Sequence, residues 1–176
     1  LHLSGIRSCL ITHSHSDHLY AADLEMRRTG FAYPADDLPF ILYGTDIAGK
    51  TIREVLARYN LERDGRVLFH PVTPLRPFSV GRYTVTALPA DHDPASGPVI
   101  YLINDGEKHL LYAHDTGYFP EESWAYLETE QPLLDLVSLD CTTGPLECRR
   151  GHMGLSAARE VYERLLELGC VNETTT

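Results

Sequence analysis

Residues Thr12 to His18 read THSHSDH, which places three imidazoles and a carboxylate side by side directly after the strand-like stretch Arg7 to Thr12 (RSCLIT) and before the helix-like segment Tyr20 to Arg28. A strand end that opens into a loop can aim alternate side chains, His13 and His15, at one point. Asp17 and His18 then face an adjacent point. That arrangement suits two metal ions, because neutral imidazole and carboxylate are natural ligands for zinc, and for manganese or iron where oxygen donors are more numerous. The bland alternative is a polar surface loop rich in His, Ser and Asp. With 9 His in 176 residues, three so close together would be an unusual accident. A loop of ligands needs further ligands from distant segments, so it also limits how the rest of the chain can fold.

Strand and helix patterns alternate along most of the sequence. Phe40 to Tyr43 reads as a buried strand between Pro39 and Gly44. Beyond Thr45 and Asp46, either of which can cap, Ile52, Val55, Leu56 and Tyr59 form one apolar helical stripe that Asn60 ends. Val67 to Phe69, Tyr83 to Leu88, Val99 to Asn104 and His109 to Ala113 read as strands, the last two joined by an Asp105-Gly106 hairpin signal. Pro120 suits a first helical position ahead of a short helix over Glu121 to Leu127. Leu134 to Leu139 returns as a strand. Ser156 can cap a last helix carrying Val161, Leu165 and Leu168 on one face, with Gly169 past its end. No repeat or linker divides the chain, so the order suggests one layered α/β or α+β domain.

Composition narrows the function classes. Lys and Arg number 15 against 25 Asp and Glu, a formal charge of −10 that opposes attraction to a polyphosphate backbone. The longest apolar run, Val99 to Ile103, is too short to cross a bilayer that needs about 20 residues. Cys9, Cys141, Cys148 and Cys170 lack the spacing of a disulfide framework, and Cys141 and Cys148 stand too far apart for a usual zinc pair. Free thiols and a cytoplasmic location are the expectation. The first residue is Leu1 and no element closes the chain, so a fragment incomplete at both ends is expected.

The HxHxDH motif after a strand resembles the signature of the metallo-β-lactamase superfamily of metallohydrolases. LPADHD, giving His92, and LLYAHDTG, giving Asp115, match the family's later ligand stretches, and the resemblance runs from Ile6 to about Gly169. It implies a four-layer αββα sandwich spanning residues 1–176, with the site at one edge. It further implies two divalent ions, zinc or manganese with iron possible by chemistry. His13, His15 and His92 would take the first ion, Asp17 and His18 the second, and Asp115 would bridge them. His114 is read as a strand-end neighbour facing away from Asp115. His15 stands where an oxygen-reducing di-iron relative carries Glu, which favours hydrolysis.

Leu139-Asp140-Cys141-Thr142-Thr143 and Gly151-His152-Met153-Gly154 resemble the phosphodiesterase branch of the same superfamily, which includes ribonuclease Z and the phosphoribosyl cyclic phosphate diesterase. The resemblance implies attack by a metal-bridging hydroxide, with Asp17, His152 and Asp140 as the catalytic set. His152 would be the general acid and Asp140 the carboxylate that holds its imidazole. Ribonuclease Z carries an RNA-gripping arm between the positions matching His92 and Asp115, where this chain has only a hairpin. A small cyclic phosphate or nucleotide-like diester is therefore the expected substrate, with no membrane or nucleic-acid partner and a homodimer left open. The alternatives are a ribonuclease Z-like tRNA 3′ endonuclease and, in another class, a non-catalytic metal-binding module degenerate at its second ion. The family's last ligand to that ion, a His, is expected beyond Val171, and the chain stops at Thr176.

Overall fold

The computed structural model describes residues 6–31 and 38–176; His2, which matches no motif, lies outside them. The chain divides into two compact units, Leu1–Val72 with Ala95–Gly97, and Thr73–Pro94 with Pro98–Thr176. Each is a sheet with its own helices and its own apolar core, the two α/β halves from which an αββα architecture is made.

In the first unit β1 (Ser8–Leu10), β2 (Phe40–Gly44) and β3 (Val67–Pro71) pair in parallel in that order. The segment after the histidine loop coils as a 3-10 helix, Ala21–Arg27. Helix α1 (Asp46–Arg58) starts at Thr45, whose hydroxyl accepts the Ala48 N–H and donates to the Gly97 carbonyl. Its stripe of Ile52, Val55 and Leu56 is buried with Ile11, Leu42, Val67 and Phe69. Gly49 lets the helix approach β3 closely, since a Cβ there would sit 2.2 Å from the Phe69 ring. Asn60 takes a left-handed turn (φ 55°) just past the end.

The second unit is a five-stranded sheet in simple sequence order, β4 (Pro77–Val80), β5 (Tyr83–Pro89), β6 (Val99–Asn104), β7 (His109–Ala113) and β8 (Leu136–Leu139). The first four run antiparallel, and β7 to β8 is parallel by way of helix α2 (Glu121–Glu130). Asp105 closes the β6–β7 turn by accepting the Glu107 and Lys108 N–H groups, with Gly106 left-handed. Helix α3 (Leu155–Glu167) buries Ala157, Val161 and Leu165 in a core shared with Trp124, Leu111 and Ile100.

Three local expectations need correction. β4 has no counterpart in the sequence reading: it is short, begins at a proline and lies at the sheet edge, where proline's missing N–H costs no ladder bond. Pro120 sits one position earlier than expected, as the N-cap of α2. Ser156 does not cap α3; it lies inside the helix and donates to Glu147, and Gly154 holds the cap. There the chain passes so near itself that a Cβ on residue 154 would fall 2.0 Å from the Leu146 carbonyl oxygen. Among the described residues no helix is long and apolar enough to cross a membrane.

Candidate metal centre

In the first unit the histidine loop grows out of β1. Ile11 continues the strand by donating to the Tyr43 carbonyl (2.8 Å) and is buried, which fixes where His13 emerges. His13 is only 1% exposed, with Nδ1 3.0 Å from the Thr12 hydroxyl. The His15 carbonyl accepts from both His18 N–H (3.0 Å) and Leu19 N–H (2.8 Å), a turn that folds the loop back on itself. Leu19 and Ala21 anchor the far side in the core. The result brings the His15 and His18 rings to 4.6 and 4.3 Å from the His13 ring, centroid to centroid. Asp17 stays near His18 (3.5 Å) but its side chain is 79% exposed.

In the second unit the direction of the strands does the gathering. β5, β7 and β8 all point the same way, so their C-terminal ends share one edge of the sheet, where open α/β sheets place their ligands. His92 follows β5, Asp115 follows β7, and Asp140 follows β8 with its N–H still bonded to the Ala113 carbonyl (2.7 Å). Asp115 adopts a left-handed backbone (φ 50°), a conformation that costs a non-glycine residue about 1–3 kcal/mol. His114 faces the other way, with Nε2 2.6 Å from the Ser138 hydroxyl and its ring stacked on Tyr112.

His152 joins this edge from the loop before α3. Its Nδ1 donates to Asp140 Oδ2 (2.9 Å), lies 3.6 Å from Asp115 Oδ1, and its ring meets that of His92 edge-on at 4.9 Å. Potential ligand atoms of Asp115, Asp140 and His152 all lie within 4.8 Å of one another. Asp140 is nevertheless saturated. Its Oδ1 accepts the Thr142 and Met153 N–H groups and its Oδ2 accepts the Thr142 hydroxyl as well as His152, which uses about all four of its lone-pair sites. Burial pushes its carboxyl up, but hydrogen bonds from His152 and from the Thr142 and Met153 amides outweigh that and hold it below the usual carboxylate range. Asp140 is thus an ionised group that fixes His152.

The remaining donors fit a divalent ion. His92 Nδ1 donates to the Gly151 carbonyl (2.8 Å), which makes Nε2 the lone-pair atom of the ring; an outer carbonyl commonly sets the tautomer of a metal-binding histidine in this way. The reading of the sequence missed the residues behind this: Gly151, whose carbonyl orients His92, and Asp91, Thr116 and Gly117, which brace the loops around it. The signal available was a carboxylate directly before a candidate ligand, and a small Thr-Gly pair directly after another. Cys9 and Cys170 play no part; burial pushes both thiols up, toward the unreactive neutral form.

The family described as beta-lactamase superfamily domain matches residues 1–168. No curated protein matches. Among solved structures, the metallo-beta-lactamase fold protein YhfI from Bacillus subtilis is 15% identical with a TM-score of 0.71, covering 98% of this chain and 68% of its own. Unliganded yeast PDE1 is 16% identical with a TM-score of 0.70, over 96% of this chain and 56% of that one. Igni18, a metallo hydrolase from the hyperthermophilic archaeon Ignicoccus hospitalis, is 18% identical with a TM-score of 0.57, over 96% and 63%. At such identities the likeness shows the fold. The chain spans a little over half to about two thirds of the length of these proteins.

Proposed function

Because this chain belongs to the beta-lactamase superfamily domain family, we propose that it is a metal-dependent hydrolase acting on a small phosphodiester. In this reading His13, His15, Asp17, His18, His92 and Asp115 are the ligands of two divalent ions, zinc or manganese. Such a pair, when bound, supplies a water ionised near neutral pH and a clamp on the phosphoryl oxygens.

The observation that carries the proposal is the Asp140–His152 pair beside Asp115. Cleaving a diester of an ordinary alcohol needs a proton delivered to the departing oxygen. His152 is built for that: Asp140 takes its Nδ1–H, fixing the ring, so Nε2 is the atom that carries a proton to a leaving group when the ring is charged. The imidazole is about one third exposed, open to substrate. The charge of −10 and the short β6–β7 turn between His92 and Asp115 favour a small substrate over RNA. A cyclic phosphate on a sugar, or a nucleotide-like diester, fits these features.

The test is metal content by emission spectroscopy, paired with turnover of bis-p-nitrophenyl phosphate by the purified protein. Two ions per chain, with turnover abolished by Asp115→Ala, support the proposal. A protein that binds no ion after reconstitution with zinc or manganese would instead be a non-catalytic module, and the proposal would fail.

A further inference from the structure

We infer that Asp91 is a positioning residue that holds His92 and His152 in working order through one shared contact, the backbone of Gly151. The Asp91 N–H donates to the Thr116 hydroxyl (3.0 Å) and its carbonyl accepts the Gly117 N–H (2.7 Å), which ties the loop after β5 to the loop after β7. Its carboxylate accepts the Gly151 N–H (3.2 Å) and the Arg150 Nε–H (2.9 and 3.1 Å to its two oxygens), which brings in the segment before His152. Gly151 in turn presents its carbonyl to His92 Nδ1 (2.8 Å) from a left-handed backbone (φ 74°).

The space around this carboxylate is shaped for it. A Cβ on Gly117 would fall 2.3 Å from Asp91 Oδ2 and 2.5 Å from the Arg149 carbonyl oxygen, so only glycine lets the three loops close. The two partners of the carboxylate are unequal. The Arg150 side chain is 87% exposed, where an ion pair is worth little, whereas the Asp91 side chain is 17% exposed. The Gly151 N–H is therefore the bond that matters. Held at its N–H, Gly151 keeps its carbonyl on His92 and hands the chain to His152 at a fixed angle. Released, it is free to rotate as only glycine can, and His92 loses the acceptor that sets its tautomer.

This inference rests on reading His92 as an ion ligand and His152 as the general acid, but its first test needs no turnover. Long-range nitrogen–proton correlation on metal-free protein labelled at histidine, at a pH where the rings are neutral, reports each tautomer. The wild type should show His92 protonated on Nδ1. Asp91→Ala should lose that preference, while Asp91→Asn, which keeps an acceptor for Gly151, and Arg150→Ala should retain it. A folded Asp91→Ala with His92 still on Nδ1, or an Arg150→Ala that shifts the tautomer as far as Asp91→Ala does, overturns the inference. If Asp91→Ala does not fold, the comparison of Asp91→Asn with Arg150→Ala still decides: a lost tautomer in Asp91→Asn would show that the acceptor for Gly151 is not what holds the ring. In the loaded protein, Asp91→Ala should lose about 10- to 100-fold in cleavage of alkyl diesters, with a smaller loss on nitrophenyl diesters, and Asp91→Asn should recover most of it. No turnover by the wild type would sink the hydrolase reading and leave the tautomer result standing.

Discussion

A histidine whose Nδ1 is bound to a buried carboxylate is committed: its proton traffic runs through Nε2, and the carboxylate must stay ionised to keep it there. His152→Ala should therefore leave ion binding intact and slow hydrolysis of an alkyl diester far more than that of a nitrophenyl diester, whose leaving group needs no proton. By the usual scale of acid catalysis the difference should be about 10²- to 10⁴-fold, and equal losses on both substrates would remove the acid role. Asp140 carries a prediction of its own. Its carboxyl is held below the ordinary value of 3.8, so it stabilises the fold above that pH, and the contribution drains away as the pH falls through the lowered folded-state value. In urea unfolding of metal-free protein, wild-type stability should fall more steeply between about pH 5 and 3 than that of Asp140→Asn, and parallel curves would contradict the assignment. The resemblance of their two segments to a family branch implied that these residues pair, and the structure brings them together. Asp91 was harder to find: its place directly before a candidate ligand was visible, but its bond to the backbone of a glycine 60 positions away was not.

At the level of elements the apolar patterns read true where burial is one-sided. The α1 stripe and the strands β2, β3, β5, β6 and β7 appear where alternation or unbroken apolar runs put them, because their burial is written into the order of side chains. The helix ends and β4 are set instead by close backbone approach and by edge position, which leave weak marks. Gly49 shows the conflict well. Inside an α-helix, alanine is the better residue by about 1 kcal/mol, so helix propensity alone says that Gly49→Ala stabilises. The Phe69 ring, 2.2 Å from where that methyl would be, says the opposite, since overpacking a filled core costs about 1–3 kcal/mol and an aromatic ring wedged between α1 and β3 has little room to turn. Gly49→Ala should lower the melting temperature by a few degrees, and Phe69→Leu in the same background should recover part of the loss by removing the clash. A rise in melting temperature for the single variant would mean that the ring yields freely.

For the molecule as a whole, the fold class was within reach of the sequence because the HxHxDH loop after a strand, with the later LPADHD and LLYAHDTG stretches, resembles a family whose architecture the structure shares. The substrate was not, since it depends on what meets the site rather than on what builds it. Charge is the property at this scale that separates the candidates. A protein that grips RNA gains most of its affinity by neutralising phosphates with Lys and Arg, and that affinity falls steeply as salt rises. With 15 basic against 25 acidic side chains, this chain repels such a polymer at long range, while a single small diester, carrying about one charge, meets only the local field of the site. Hydrolysis of a ribose cyclic phosphate should accordingly change by less than about threefold between 50 and 200 mM salt, and precursor tRNA should be cleaved slowly or not at all across that range. Rapid processing of precursor tRNA at low salt, declining steeply as salt is added, would move the protein to the RNA-cleaving side of the family.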